Sequence, residues 1–213
     1  MAERGQTPSQ TVGPFFAYGL TPGQYGYPLP DPVGADLTGA EVAGTRIWLT
    51  GRVLDAEGAP VDDALVEIWQ ADAHGRLPTR AAAGGGNRPG FRGFGRCGTG
   101  TDPDSRFVFR TVKPGAVATA AGETAAGETG AGETAAAPHV SLVVFARGLL
   151  NHLYTRLYFA DEADANAADP VLARVPAERR ETLIAQRQDS VDGPVYRLDI
   201  RLQGPGETVF FDL

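Results

Sequence analysis

A histidine and a serine two residues apart occupy positions at which a strand could hold a metal. Residues 137–148 read APHVSLVVFARG, an alternating apolar stretch that predicts a strand. Alternate side chains of a strand share a face, so His139, Ser141 and Arg147 would point to the same side. A serine hydroxyl is a poor metal ligand at neutral pH. On the pattern alone we expect His139 to be a core or edge histidine satisfied by a backbone carbonyl.

The other histidines and the cysteine give weaker evidence for a metal site or a catalytic residue. His152 and Tyr154 lie two apart in NHLYTRLYF and could bind a metal together, although tyrosine is also ordinary packing in a β-sandwich. We expect His74, in the turn QADAHG, to be solvated. Cys97 is the only cysteine, so the chain has no internal disulfide and no CxxC motif, and no base is evident beside it. Nucleophilic catalysis has little support.

An arginine- and glycine-rich stretch at residues 84–98 has some features of a phosphate-binding loop. Its glycines do not lead from a strand into a helix in the GxGxxG manner, and the sequence contains no Walker or GxSxG motif. We therefore expect a plain surface or interface loop.

Composition excludes several classes of function. The formal net charge of −7 over 213 residues argues against nucleic acid or an anionic membrane as partner, because either needs a basic surface. The amino terminus lacks the basic start and apolar run of a signal peptide, and the most apolar window, LVVFA, is too short to span a membrane. One cysteine favours a reducing compartment. We expect a cytoplasmic protein.

Short alternating segments separated by turns predict an all-β fold of the sandwich type. IWLTGRVLD and ALVEIWQ are predicted to form two antiparallel strands around the turn AEGAP. Further predicted strands are RFVFRTV, HVSLVVFARG, HLYTRLYFADE, YRLDIRLQG and ETVFFDL. PAERRETLIAQRQ is the best helix candidate. The hydrophobic content of 42% is enough to fill one core.

Two regions depart from the strand pattern. Residues 1–45, with frequent Pro and Gly, predict an N-terminal arm and loops that contact a partner chain, while residues 46–213 form the sandwich domain. Within that domain, residues 118–137 contain AAGET, AAGET and GAGET in tandem, which predicts a flexible low-complexity insertion. We expect the insertion to point to solvent.

Several separate motifs, in order along nearly the whole chain, resemble those of the intradiol ring-cleaving dioxygenases. They are TPSQTVGPFF at 7–16, EIWQADAHG at 67–75, FGRCGT at 94–99, TVKPG at 111–115, APHVSLVVFARG at 137–148, TRLYF at 155–159, YRLDIRLQG at 196–204 and ETVFF at 207–211. The resemblance implies a β-sandwich with an extended N-terminal arm, long loops and one or two short helices. It also implies a non-haem Fe(III) that the family holds through two tyrosines and two histidines.

Carried onto this sequence, the four ligand positions of the family fall at Leu77, Val117, His139 and Ser141. Leu77 and Val117 offer only hydrocarbon, and Fe(III) is a hard cation that one imidazole and a serine hydroxyl will not hold. The resemblance therefore implies a chain that has no metal and no catalytic residue of its own. We expect the iron to be bound by the beta subunit of an αβ hetero-oligomer.

The resemblance further implies that this chain forms one wall of the substrate pocket, through Thr11, Gly13, Pro14, Phe15 and Arg147. Gly13 would let the backbone approach an aromatic ring closely, Pro14 would fix the turn, and Arg147 would meet the ring carboxylate. The alternatives are a salt bridge for Arg147 and a simple docking arm for TVGPFF.

The implied reaction inserts both atoms of O₂ into 3,4-dihydroxybenzoate, between the hydroxyl-bearing carbons, to give 3-carboxy-cis,cis-muconate. Two other classes stay open. One is an iron-free β-sandwich module that binds aromatic acids without a catalytic partner. The other is a self-sufficient metalloenzyme that uses His139, His152 and tyrosines in an unfamiliar arrangement.

Overall fold

The chain was analysed as a computed structural model, which describes residues 8–13, 15–31, 33–39, 41–78, 91–118 and 135–212. Eleven strands are defined in these ranges: β1 Arg46–Leu54, β2 Leu65–Gln70, β3 Phe94–Gly98, β4 Arg106–Val112, β5 Val117–Ala118, β6 Ala135–Ala136, β7 His139–Phe145, β8 Leu153–Phe159, β9 Ile184–Ser190, β10 Gly193–Arg197 and β11 Ile200–Arg201. The helices are short: α1 Phe16–Leu20, α2 Ala163–Ala168, and 3₁₀ turns at Pro22–Tyr25, Leu172–Arg174 and Ala177–Leu183.

The strands form a β-sandwich of two layers, as the sequence predicts. One layer is built on β1, which pairs antiparallel with β4 and parallel with β10 and β11, while β9 pairs with β10. The other layer has the order β8, β7, β2, β3, with antiparallel neighbours throughout. A short parallel pairing of β8 with β9 joins the layers along one side.

Alternating hydrophobicity places the core between the layers. Strand β7 alternates half-buried and buried residues along its whole length, and β1 shows the same period after its exposed first residue. The buried residues of both layers form one cluster, to which β1 and β4 contribute Ile47, Leu49, Phe107 and Phe109, and β2 and β7 contribute Val66, Ile68, Val140, Leu142 and Val144. The opposite face of β7, which carries His139 and Ser141, points away from this core.

The predicted helix over PAERRETLIAQRQ is wrong. The first half forms the 3₁₀ turn Ala177–Leu183 and the second half forms strand β9, Ile184–Ser190. Residues 186–190 of this strand are exposed, so they carry no alternation that could reveal a strand. Antiparallel pairing with β10 fixes the strand conformation, a non-local contact that outweighs the local helix signals.

Other predicted strands and loops also need correction. The segments around AEGAP are strands, but they do not pair with each other, because β1 pairs with β4 and β10 while β2 pairs with β3 and β7. Residues 94–98, expected within a loop, form β3. In the final segment ETVFFDL only an isolated bridge between Tyr154 and Phe211 is present up to residue 212.

The repeat insertion lies mostly outside the described residues, so its predicted exposure to solvent stays a prediction. Strands β5 and β6 flank it and pair with each other. In the described ranges, no helix has the length and apolar character needed to cross a membrane.

Candidate functional site: an open cleft and a degenerate metal position

The N-terminal segment lies against the loop that follows β7. The hydroxyl oxygen of Thr11 accepts a hydrogen bond from the backbone N–H of Gly148, at 2.8 Å. Between the two segments is an open cleft of about 260 Å³, which we call the arm cleft. It is lined by Ser9, Gln10, Val12, Phe145, Ala146, Leu149, Leu150, Asn151 and His152. Thus the two sequence motifs expected to wall a pocket are adjacent in the fold.

Arg147 is positioned by an ion pair beside the arm cleft. Its Nε contacts the carboxylate of Asp63, in the turn before β2. The Arg147 side chain is 55% exposed, whereas that of Asp63 is 18% exposed. The salt bridge considered from the sequence is therefore present in the single chain. A guanidinium group carries five N–H donors, more than one carboxylate oxygen can accept.

Gly13 and Phe15 belong to an exposed aromatic segment next to the arm cleft, while Pro14 lies outside the described residues. The Phe15 side chain is 76% exposed, and its ring centroid lies 5.7 Å from that of Tyr18. Tyr18 in turn packs edge-on against Tyr25, at 4.5 Å between centroids. Thus an apolar surface extends from the arm, and the described residues leave it exposed.

The arm is tied to the sandwich at a second point. The side-chain oxygen of Gln24 accepts a hydrogen bond from the Gly98 N–H at 2.8 Å, and its amide nitrogen donates to the Gly98 carbonyl at 3.1 Å. This two-way pairing extends the edge strand β3 by a side chain. It fixes the arm relative to the arm cleft.

His152 is a residue of the arm cleft that the sequence interpretation did not place there. Its Nε2 is 2.6 Å from the hydroxyl of Tyr154, and its ring lies 5.4 Å from that of Phe145, centroid to centroid. The spacing of His152 and Tyr154 on one strand face correctly indicated that they meet. Nothing in the local sequence indicated that Asn151 and His152 would face residues 9–12, because that contact is non-local.

The degenerate metal position lies at the other end of β7. His139 opens this strand and Phe145 ends it, a separation of about 20 Å at roughly 3.3 Å per residue. The loop after β2 reaches the same end, where the Gly115 N–H donates to the Asp72 carbonyl at 2.9 Å. Gly75 has a φ of +76°, and a Cβ there would collide with the Ala116 carbonyl. This close packing brings the loop of Leu77 against the segment of Val117.

The side chains at this position do not fit a ferric ion. Leu77 is exposed hydrocarbon, Val117 is half-buried hydrocarbon, and Ser141 is a neutral hydroxyl. Among the described residues, no group of three or more His, Cys, Asp or Glu side chains could hold a metal. A hard trivalent cation needs anionic oxygen ligands, so His139 alone cannot retain it.

His139 is instead satisfied by the protein itself. Its Nδ1 is 2.7 Å from the Ala137 carbonyl oxygen, the hydrogen bond expected for a core or edge histidine. Burial, together with the positive charge of Arg156, lowers the pKa of His139. The ring is therefore neutral near pH 7 and donates from Nδ1.

His139 and His152 do not meet, so the self-sufficient metalloenzyme is not supported. His139 lies at the start of β7, and His152 packs against Phe145 at its end. His74 is exposed, as expected for a solvated turn residue.

A family model described as Dioxygenase matches residues 13–204. The chain belongs to the intradiol dioxygenase family. It is 50% identical over 209 residues to the protocatechuate 3,4-dioxygenase alpha chain of Burkholderia cepacia, covering 98% of each chain. It is 44% identical to the alpha chain of Pseudomonas putida, covering 97% of this chain and 96% of that one. The Burkholderia cepacia beta chain is 34% identical over 83% of this chain and 74% of its own.

Solved structures of the family have the same fold. The dioxygenase domain from Streptomyces sp. SirexAA-E superposes with a TM-score of 0.57 at 23% identity, covering 93% of this chain and 98% of that one. The 3-chlorocatechol 1,2-dioxygenase of Rhodococcus opacus 1CP gives a TM-score of 0.54 at 21% identity, covering 94% and 72%. At these identities the likeness establishes the sandwich alone.

Proposed function

We propose that this chain is the iron-free alpha subunit of an αβ protocatechuate 3,4-dioxygenase. One observation carries the proposal: a chain with near full-length identity to alpha chains of this enzyme has hydrocarbon or hydroxyl side chains at three of four metal-ligand positions. A chain that cannot hold iron but keeps the sandwich acts by completing the site of another chain. Similarity to a beta chain as well as to alpha chains supports a partner of related fold.

In this proposal Thr11, Gly13, Phe15 and Arg147, which lie beside the arm cleft and not in its lining, belong to the alpha-chain wall of a substrate pocket shared with the beta subunit. Thr11 anchors the arm through the Gly148 N–H, so that Gly13 presents backbone to the flat face of the substrate ring. Phe15 covers the pocket rim, and Pro14 restricts the turn between them. Arg147 donates to the ring carboxylate, a charge-assisted bond worth about 1.5–3 kcal/mol.

The proposed reaction consumes 3,4-dihydroxybenzoate and O₂. The ring bond between the two hydroxyl-bearing carbons breaks, and each carbon receives one oxygen atom, which gives 3-carboxy-cis,cis-muconate. The non-haem iron belongs to the beta subunit in this proposal, and no step on the alpha chain passes through a metal. A cytoplasmic location is part of the same proposal, supported by the single cysteine, Cys97, which is buried and free.

Production of this chain alone and together with a beta-chain candidate tests the proposal. We expect the chain alone to contain no stoichiometric iron after dialysis and to leave protocatechuate intact. The co-produced complex should contain iron and cleave the ring with O₂ uptake. Iron and turnover in the lone chain would contradict the proposal.

The alternative function is an iron-free binding module for aromatic acids. The observation in its favour is that the arm cleft is already formed in the single chain, with both aromatic and polar side chains in its lining. Calorimetric titration of the lone chain with protocatechuate separates the two functions. Tight binding without any catalytic partner would favour the module, whereas binding that requires the beta subunit favours the shared pocket.

A further inference from the structure

An arginine lies beside the degenerate metal position. Arg156 on β8 is directly opposite Ser141 on β7, and Trp69 on β2 is opposite Ser141 on its other side. Residues directly opposite each other in antiparallel strands project from the same face, with their Cβ atoms about 4.5–5.5 Å apart. Arg156 therefore shares the face from which Ser141 and His139 project.

The guanidinium group extends toward His139. Its Nη1 donates a long hydrogen bond of 3.4 Å to the hydroxyl of Tyr158. Tyr158 is the register partner of His139, and the rings of these two residues lie 5.8 Å apart, centroid to centroid. The Arg156 side chain thus runs from the Ser141 pair to the His139 pair.

Among the described residues, no direct ion pair cancels the positive charge of Arg156. In the portion of the chain that the structure describes, every arginine ion pair involves a different arginine. An acidic group on the other side of Tyr158 is Asp169, a fully buried carboxylate that accepts a hydrogen bond from the Tyr158 hydroxyl at 3.0 Å. Asp169 is also occupied by the backbone N–H groups of Ala137, Val171 and Leu172. Its charge is therefore shared among neutral donors rather than paired with Arg156.

The structure assigns Arg156 a metal-excluding role: its guanidinium stands in the place of the metal cation and repels any cation that approaches His139 and Ser141. This inference goes beyond the proposed function, in which unsuitable ligands alone keep iron from this chain. It takes from the proposed function only the location of the metal-ligand positions. Repulsion between like charges is stronger in a partly buried site than in water, so the arginine would oppose metal binding even with ligands restored. Iron supplied to the assembled enzyme would consequently enter the beta subunit only.

Partial restoration of the ligands tests this role in the full-length chain. Ser141→His creates two imidazoles on one strand face, a pair that binds nickel(II). This variant is compared with S141H/R156Q, which removes the charge, and with S141H/R156K, which keeps it. S141H/R197Q is the matched control, because Arg197 is an exposed arginine on β10 in the other layer. Each variant is titrated calorimetrically with nickel(II) chloride after its thermal unfolding has shown that it is folded.

We expect S141H/R156Q to bind nickel(II) at least about tenfold more tightly than S141H, while S141H/R156K and S141H/R197Q stay within about threefold of S141H. If S141H/R156Q is not folded, S141H/R156M takes its place, because methionine keeps an aliphatic stem and removes the charge. Equal nickel(II) affinities of S141H and S141H/R156Q would overturn the role. So would an S141H/R156K variant that binds nickel(II) as tightly as S141H/R156Q. The assay contains no partner, substrate or turnover, so its failure is distinct from failure of the proposed function.

Discussion

At the scale of single residues, the two interpretations of Arg147 are compatible. An ion pair whose arginine is more than half exposed, such as Arg147 with Asp63, contributes only about 0–1 kcal/mol, because water and salt screen the arginine. A charge-assisted bond to a carboxylate inside a closed pocket contributes about 1.5–3 kcal/mol. The ion pair therefore orients the guanidinium at little cost to substrate binding. Asp63, which the sequence interpretation did not single out, is the residue that holds Arg147 in place.

Replacement of Arg147 by alanine in the αβ complex should separate carboxylate recognition from ring cleavage. We expect Arg147→Ala to raise KM for protocatechuate by about 10- to 100-fold and to leave KM for catechol, which lacks the carboxylate, nearly unchanged. Steady-state O₂ uptake with both substrates measures this. Arg197→Ala is the control, since Arg197 is an exposed arginine paired with Asp199 elsewhere. Equal losses for both substrates would remove Arg147 from the pocket.

Thr11 should act through its hydroxyl rather than through its bulk. Thr11→Val keeps the shape but loses the acceptor of the Gly148 N–H, which costs about 0.5–1.5 kcal/mol of arm docking. We expect KM for protocatechuate to rise by roughly 2- to 10-fold in the complex, with kcat changed less. Thr11→Ser, which retains the hydroxyl, should behave like the unmodified chain. The anchor role fails if Thr11→Ser is as impaired as Thr11→Val.

At the scale of elements, local alternation predicted strands well and pairing partners poorly. HVSLVVF was recognisable as β7 because one face of it is buried and the other is not. Strand β9 was predicted as helix because its exposed residues after Ala185 carry no period of two. The pairing of β1 with β4 rather than β2 depends on contacts distant in sequence, which a single sequence does not encode locally. The arm cleft was not predicted for the same reason, whereas the family resemblance grouped Thr11 with Arg147, the neighbour of Gly148, at one pocket wall.

An ionic cluster links four strands of the fold and gives a test of stability against pH. Asp161, just after β8, contacts Lys113 at 2.9 Å and Arg187 at 3.2 Å, and it accepts a hydrogen bond from Tyr196 at 2.8 Å. Partial burial alone would raise the pKa of Asp161, but the hydrogen bonds from Lys113 and Tyr196 outweigh it and lower this pKa below the ordinary 3.8. The charged carboxylate therefore stabilises the folded state.

Because the pKa of Asp161 is depressed in the folded state, its contribution is present above the ordinary pKa and is lost as pH falls through the folded value. We expect Asp161→Asn to lower the free energy of unfolding by about 1 kcal/mol at pH 7. The difference from the unmodified chain should shrink below about pH 4. Urea unfolding at several pH values measures this, with Asp192→Asn in the exposed β9–β10 turn as control. If the difference in the free energy of unfolding stays the same below about pH 4, the charge of Asp161 is not its cause.

At the scale of the whole molecule, the two ends of the second layer differ in their chemistry. The end at which β7 begins carries His139 and Ser141, which do not fit a ferric ion, and the end at which β7 finishes carries the arm cleft. On the arm, the exposed rings of Phe15 and Tyr18 pack against each other. An arm fixed at Thr11 and Gln24, with an apolar surface between them, is typical of a segment that docks on a partner. The surface that would meet the beta subunit is thus continuous with the proposed pocket wall.

Removal of the Phe15 ring should weaken subunit assembly without weakening the chain itself. Phe15 is 76% exposed in the single chain, so Phe15→Ser should leave its thermal unfolding nearly unchanged. If the ring is buried against the beta subunit, its loss should raise the dissociation constant of the complex by about tenfold or more, the range of aromatic anchor residues. Analytical ultracentrifugation or surface binding measures the dissociation constant.

Val191→Ser is the control for the Phe15 variant, because Val191 is also apolar and is fully exposed in the β9–β10 turn. A complex that tolerates Phe15→Ser but is weakened by Val191→Ser would move the interface to the other end of the molecule and separate the pocket from the subunit boundary.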